Sequence, residues 1–188
     1  MTLIKNNCYV ITGGPGVGKT TLLNALGRLG YHTVAEDART IIREEMACNS
    51  DGLPWANKFR YTQLMFDAAV RSYRAVRSIN QTYFFDRGIL DAICYAEMEN
   101  IAVSPEMEQL AKTLRYHNKV FILPPWQEIY HTDDERKQTW DEALHTFTQM
   151  KTTYLKYGYQ VVEVPKDHIE NRVHFILKEM NTTDHSNQ

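Results

Sequence analysis

The chain has 188 residues, of which 43% are hydrophobic and 23% charged, and its formal net charge is −2. This size and composition fit one ordinary globular domain and exclude a disordered, collagen-like or membrane-spanning chain. The small net charge gives no general attraction to nucleic acid or anionic lipid. Three cysteines without a C-x-x-C pair argue against a disulfide framework or a thiolate zinc site. Because the N-terminus lacks a signal-peptide pattern, we expect a cytoplasmic protein with buried, unpaired thiols.

Hydrophobic patterning divides the chain into alternating strands and helices. Short β-rich apolar runs predict five strands, in chain order at 8–12, 31–34, 82–85, 120–123 and 159–164. Helical spacing of apolar residues predicts the segments between and after them, at 22–29, 38–47, 59–77, 89–98, 105–116, 139–157 and 168–180. Three of the strands are continuously apolar, which is typical of a parallel sheet covered on both faces.

A glycine-rich motif follows the first predicted strand. The sequence GGPGVGKT at 13–20 matches the phosphate-binding pattern G-x-x-x-x-G-K-[ST] at every fixed position, between a strand and a helix. Glycines let backbone N–H groups converge on a phosphate without Cβ clashes, and the following helix adds its dipole. We expect Lys19 to reach the β- and γ-phosphates and Thr20 to ligate Mg²⁺. The residues predicted to hold the nucleotide are Gly13, Gly14, Pro15, Gly16, Val17, Gly18, Lys19, Thr20 and Thr21.

The sequence favours ATP over GTP as the nucleotide. GTP specificity is usually marked by N-K-x-D after the fourth strand. Here Asn118-Lys119 precedes that strand, and position 121 is a phenylalanine. The GTP signature therefore fails in both position and sequence.

The third strand ends at an acidic residue followed by a basic one. Asp86 occupies the position where an aspartate commonly holds Mg²⁺, directly or through water. Many ATPases place a water-polarising glutamate next, whereas this chain has Arg87. An Asp-Arg pair resembles nucleoside and nucleotide kinases, in which the arginine faces the transferred phosphate. A local ion pair that caps the next helix is the alternative interpretation.

Two further segments carry candidate substrate residues. Glu36 and Asp37 follow the second strand, where a carboxylate can accept the proton of a substrate hydroxyl. Asp37 fits equally well as the N-cap of the next helix, so the residues themselves leave the choice of base open. Arg39 is a candidate for binding substrate or phosphate, and Gln63, on the long helix, is a weaker substrate candidate.

The charged segment 131–137 lies where kinases of this class carry a mobile lid. It precedes a predicted helix, and its Arg136 could move over the γ-phosphate and stabilise the charge in transfer. A solvated charged turn would have the same composition.

The motifs together resemble a known family, the predicted bacterial ATPases grouped with the ribosylnicotinamide-kinase domain. The matching segments are GGPGVGKT at 13–20, EDAR at 36–39, FFDRGILDAICY at 84–95, VFILPP at 120–125, DDERK at 133–137 and VVEVP at 161–165. The resemblance covers about residues 7–178 and implies ATP binding by a kinase-like domain. It also favours Glu36 over Asp37 as the base. The chain differs from ribosylnicotinamide kinase at Asp86-Arg87-Gly88, and no adenylyltransferase or DNA-binding part is expected.

We therefore predict an α/β protein with the P-loop NTPase fold. Its five-stranded parallel sheet should have the strand order 2-3-1-4-5, with helices on both faces, in one domain over 1–180 that is followed by a flexible tail at 181–188. The predicted activity is γ-phosphate transfer from Mg-ATP to a nucleoside, nucleotide or related metabolite, carried by Lys19, Glu36, Asp86, Arg87 and Arg136. The alternative is a nucleotide-dependent switch or ATPase acting on a macromolecular partner, suggested by the basic residues of 58–77.

Overall fold

A five-stranded parallel sheet organises the molecule, in a computed structural model that describes residues 2–129 and 139–182. Its strands are, in chain order, β1 (Cys8–Thr12), β2 (His32–Val34), β3 (Tyr83–Asp86), β4 (Lys119–Ile122) and β5 (Gln160–Glu163). Their spatial order is β2-β3-β1-β4-β5, and every neighbouring pair is parallel. The predicted fold class and strand order are confirmed.

Seven helices connect or follow these strands within the described residues. They are α1 (Lys19–Arg28), α2 (Ala38–Ala47), α3 (Lys58–Ala75), α4 (Ile89–Met98), α5 (Pro105–Thr113), α6 (Trp140–Lys156) and α7 (Ile169–Asn181). Local capping explains several starts, because the side chains of Asn57, Ser104 and Thr139 accept backbone N–H groups in the first turns of α3, α5 and α6. A short 3₁₀ turn covers Gln127–Ile129.

The two faces of the sheet carry separate apolar cores. Side chains alternate along each strand, so Val10 and Phe85 face one core and Ile11 and Phe84 face the other. Helices α3, α4, α5 and α6 supply buried residues to the first core, and α1 and α7 cover the second. Each fully buried aliphatic or aromatic side chain contributes about 1.5–3 kcal/mol relative to exposure. This two-sided burial explains why the central strands are continuously apolar.

A second, two-stranded parallel sheet was not predicted from the sequence. Leu3–Ile4 pairs in parallel with Leu114–Arg115, and the Tyr73 hydroxyl shares its hydrogen between the carbonyls of Leu3 and Arg115, at 2.8 and 2.9 Å. The predicted helix 105–116 therefore ends at Thr113, because the next two residues join this ribbon.

Two other expectations need correction. Asn181, the first residue of the predicted tail 181–188, is the last residue of α7, and Lys119 Nζ donates to the carbonyl of Thr182 at 2.9 Å; residues 183–188 lie outside the described part. Of the three thiols, Cys8 and Cys94 are buried but Cys48 is exposed, at the end of α2.

Among the described helices, none is both long and apolar enough to cross a bilayer.

Candidate active site

The glycine-rich loop between β1 and α1 has a conformation that requires its glycines. Gly16 and Gly18 have φ angles of 77° and 85°, in the left-handed region. Gly13 has a φ of 141°, and a Cβ there would lie 2.7 Å from the carbonyl oxygen of Leu123, the residue after β4. The backbone thus turns tightly from the sheet into the start of α1, as the phosphate-binding motif requires.

Lys19 lies buried under this loop. Its ammonium donates to the carbonyls of Gly13 and Gly14, both at 3.1 Å. Burial, reinforced by the positive charge of Arg87, lowers the pKa of Lys19 to about 8, while Asp86 and Glu36 oppose this shift. The loop carbonyls and nearby carboxylates therefore hold a positive charge at the position expected for the phosphates.

Asp86 and Thr20 have the chemistry of Mg²⁺ ligands. Asp86 ends β3, and its buried Oδ1 has no hydrogen-bond partner among the described residues. Burial raises the pKa of this carboxyl, and Lys19 is the main opposing influence. Thr20 is exposed in the first turn of α1. A buried carboxylate oxygen without a donor suits a hard cation, which usually takes one or two protein oxygens together with phosphate oxygens.

Glu36 and Arg87 form an ion pair across the ends of two neighbouring strands. Val34 of β2 lies opposite Phe85 of β3, so the residues two positions further along come together. Arg87 Nε donates to Glu36 Oε1 at 2.7 Å. Burial opposes ionisation of Glu36, but Arg87 and then Lys19 outweigh it and hold the pKa of Glu36 below its usual value. This carboxylate is therefore ionised at neutral pH.

Arg87 is also held from its other side by Asp91. The backbone of Arg87 has a φ of 70°, an unusual left-handed conformation for a residue with a side chain. Its N–H donates to the carbonyl of Ile11 at 3.0 Å, and its Nη1 donates to Asp91 Oδ1 at 3.4 Å. Burial lowers the pKa of Arg87, but Glu36, Asp91 and Asp86 more than compensate, so it stays positively charged. The ion pairs of Arg87 are thus with Glu36 and Asp91, rather than with Asp86 as a local helix cap.

Asp91 joins three elements of the fold and was missed in the sequence. Besides Arg87, it accepts hydrogen bonds from the Thr12 hydroxyl of β1, the Gly88 N–H at 2.7 Å and the Tyr154 hydroxyl of α6 at 2.6 Å. A Cβ on Gly88 would lie 3.0 Å from that Tyr154 hydroxyl, so the glycine permits this close approach. The available signal was that Asp91 is the single charged residue in the apolar stretch 89–96.

Replacing Asp91 with Asn is expected to destabilise the protein by about 3 kcal/mol. Both carboxylate oxygens of Asp91 accept two donors each, so the amide NH₂ of Asn would face donors instead of acceptors. Tyr154→Phe, which removes only one of the four donors, should cost about 1 kcal/mol. Equilibrium denaturation measures both values. An Asp91→Asn variant as stable as wild type would contradict this assignment.

The remaining predicted residues differ in their positions relative to the site. Asp37 precedes α2, but its side chain makes no capping bond and instead accepts from the Ser72 hydroxyl of α3 at 3.0 Å. Arg39 is exposed at the start of α2 and contributes to lowering the pKa of Glu36. Gln63 is exposed on α3 and is not among the residues that line the cavity described below, so its role as a substrate residue stays a prediction. Arg136 and the segment 131–137 lie outside the described residues.

A cavity of about 380 Å³ lies beside the glycine-rich loop, at the carboxyl ends of β2 and β3. Among the described residues, its charged lining consists of one arginine and five carboxylates, namely Arg87, Glu36, Asp37, Asp86, Asp91 and Glu99. Its other walls include aromatic and thioether side chains from α3 and α4, among them Tyr61, Met65, Tyr95 and Met98. Open α/β sheets bind their ligands in such crevices.

A family model described as an AAA domain matches residues 8–172 of this chain. The chain belongs to that family. No curated protein matches it. The predicted family relationship is therefore confirmed at the level of the domain.

Solved structures that share the fold include two that are named as kinases. The chain superposes on NadR protein in complex with NR with a TM-score of 0.67 and 19% identity, covering 93% of this chain and 50% of that one. Deoxyadenosine kinase from M. mycoides gives a TM-score of 0.62 and 16% identity, covering 93% and 98%. Shikimate kinase from Aquifex aeolicus gives a TM-score of 0.54 and 18% identity, covering 92% and 95%. The chain spans about half the length of the NadR chain, and the AAA domain shares their fold.

Proposed function

We propose that the chain is a small-molecule kinase that transfers the γ-phosphate of Mg-ATP to a hydroxyl group of an unphosphorylated acceptor. The observation that carries this proposal is Glu36, a carboxylate that lines the cavity beside the P-loop and is kept ionised by Arg87 and Lys19. A hydroxyl that attacks phosphorus has to lose its proton, and a positioned carboxylate can accept it. The names of two structural neighbours, deoxyadenosine kinase and shikimate kinase, support the same class of reaction.

The proposed reaction uses the site residues as follows. The acceptor O–H bond breaks as its oxygen bonds to the γ-phosphorus, the proton passes to Glu36, and the bond to ADP breaks. Lys19 and the N–H groups of loop 13–20 stabilise the charge on the phosphates. Thr20 and Asp86 would hold Mg²⁺, which when bound neutralises charge on the nucleotide. We place this activity in one domain over residues 1–180.

Arg87 has a different proposed role from the one that the sequence indicated. Its guanidinium is paired with Glu36 at 2.7 Å and with Asp91 at 3.4 Å, so it positions the base rather than binding the transferred phosphate. Asp37 and Arg39 remain candidates for contacting the acceptor at the start of α2. Arg136 remains a candidate for the γ-phosphate.

The charge of the cavity favours an acceptor without a phosphate group. In the part of the chain that the structure describes, five carboxylates and one arginine line it, and that arginine already pairs with two of the carboxylates. A phosphate on the acceptor would therefore meet like charges and, among the lining residues described, no uncommitted cation. An uncharged or positively charged acceptor avoids this repulsion.

The apolar part of the cavity favours an acceptor with a flat ring. Tyr61 and Tyr95 pack edge to face with ring centroids 5.6 Å apart, beside the flexible side chains of Met65 and Met98. Aromatic and thioether groups provide large contact surfaces for planar molecules. Together with the carboxylates, they favour a nucleoside-like molecule over a nucleotide.

Phosphorus NMR with matched acceptor pools tests the proposal. One pool contains nucleosides and related hydroxyl compounds, and the other contains the corresponding monophosphates, each with Mg-ATP. We expect a new phosphomonoester resonance only in the first pool, and no such resonance with the Lys19→Ala variant. Fractionation of the active pool then identifies the acceptor.

Two other outcomes would redirect the assignment. New diphosphate resonances from the monophosphate pool would contradict the acceptor class but retain the kinase. Slow phosphate release without any new ester in either pool would contradict the kinase. It would favour the alternative of a nucleotide-dependent switch or ATPase with a macromolecular partner.

A further inference from the structure

Arg172 is a buried cation that contacts the outer side of the phosphate-binding loop. It lies in the first turns of α7, is 4% exposed, and its Nη2 donates to the carbonyl of Val17 at 3.2 Å. Its Nε is buried without a hydrogen-bond partner, and no carboxylate in the described part of the chain forms an ion pair with it. A buried charge with so few partners is costly, so its presence in the fold calls for a function.

A second buried cation shows the contrast. Lys119 Nζ donates to the carbonyls of Glu179 and Thr182, both at 2.9 Å, and to the Thr182 hydroxyl at 3.2 Å. Lys119 thereby ties the end of α7 to β4, and its hydrogen bonds are sufficient to explain its burial. The side chain of Arg172, by comparison, makes one hydrogen bond within the described residues, and that bond is with the phosphate-binding loop.

The position of the contact has a geometric consequence. The C=O of Val17 and the N–H of Gly18 belong to one trans peptide, so they point to opposite sides of the loop. Gly18 precedes α1 in the left-handed conformation, and its N–H belongs to the helix start that faces bound phosphate in this motif. By holding the Val17 carbonyl outward, Arg172 keeps the Gly18 N–H directed towards the phosphate side.

We propose that Arg172 is a positioning residue of the nucleotide site, an inference that rests on the nucleotide binding in the proposed function. It fixes the orientation of the Val17–Gly18 peptide. It also supplies a buried positive charge for which the bound nucleotide's phosphates are the counter-ion. The role is exerted through the loop and requires no direct contact between Arg172 and the nucleotide.

Calorimetric binding of Mg-ADP and of adenosine to the full chain tests this role. Arg172→Gln should bind Mg-ADP about tenfold more weakly, because a charge-assisted contact is lost, while adenosine affinity stays within about twofold. Without nucleotide, its unfolding midpoint should stay within about 2 °C of wild type, because the charge that it removes is poorly compensated. The matched control is Lys178→Gln, which removes an exposed charge from the same helix and should change neither quantity.

The outcomes separate this inference from its alternatives. Unchanged Mg-ADP affinity in a folded Arg172→Gln variant, or an equal loss of adenosine affinity, would overturn the proposal. If Arg172→Gln does not fold, Arg172→Met is measured in the same way; if neither folds, Arg172 is structural and the proposal is wrong. A wild-type chain that does not bind Mg-ADP would remove the proposed nucleotide site as well. Absence of phosphoryl transfer alone would leave the inference standing.

Discussion

Glu36→Gln is expected to lower kcat for phosphoryl transfer by about 10²- to 10⁴-fold, the usual contribution of a general base. Gln has nearly the same shape but cannot accept a proton, so Mg-ATP affinity should change by less than about threefold. The position of Glu36 supports this expectation, since it lines the cavity and is ionised beside Arg87 at 2.7 Å. Steady-state kinetics with the acceptor found by phosphorus NMR measure kcat and KM separately.

The neighbouring carboxylate provides the matched control. Asp37 accepts a hydrogen bond from the Ser72 hydroxyl at 3.0 Å. Replacing Asp37 with Asn removes a carboxylate charge at the position next to Glu36. We expect Asp37→Asn to change KM for the acceptor more than kcat, with a loss of less than about tenfold in kcat. A larger kcat loss for Asp37→Asn than for Glu36→Gln would assign the base to Asp37 instead.

Lys19→Met is expected to lower kcat by about 10³-fold, because it removes the principal cation of the phosphate loop. Methionine keeps most of the length of the apolar stem but cannot donate to the carbonyls of Gly13 and Gly14. Since burial already disfavours the charged form of this lysine, losing it should change the free energy of unfolding by less than about 1 kcal/mol. Initial rates and chemical denaturation give the two quantities.

For a second buried lysine, Lys119, we expect substitution to lower stability rather than function. Lys119→Met breaks the hydrogen bonds to Glu179 and Thr182 and should cost about 2 kcal/mol of stability while leaving Mg-ADP affinity unchanged. The pair of variants therefore separates loss of function from loss of folding. Equal effects of both substitutions on stability and on nucleotide affinity would show that Lys19 has no specific part in phosphate binding.

The fold could be predicted from the sequence because its strongest signals are local. The run at 8–11 is apolar, and the phosphate-binding motif follows it after Thr12. Those two features specify a central parallel strand that ends at a nucleotide loop. The predicted helix over 38–47 coincides with α2, where apolar spacing and the following turn formers agree.

The contacts of the site could not be predicted in the same way, because they depend on register and helix rotation. The pairing of Glu36 with Arg87 requires Val34 to lie opposite Phe85, which composition does not specify. Periodicity predicted α3 but not which of its polar residues turns towards the cavity, and Gln63 turns away. Asp91 and Arg172 were missed because a charged residue within an apolar helical pattern is ordinarily exposed.

The strand order also has a consequence for how the chain acquires its structure during synthesis. Strand β1 precedes β3 and β4 in the chain, yet its Ile11 lies opposite Asp86 and Phe121, which belong to those later strands. The glycine-rich loop therefore has no sheet to support it until β3 and β4 have been translated. Until then, the apolar strand β1 has no partner strand. Such long-range pairing slows folding and exposes nascent chains to aggregation. Expression at reduced temperature or with chaperones should therefore raise the yield of soluble protein.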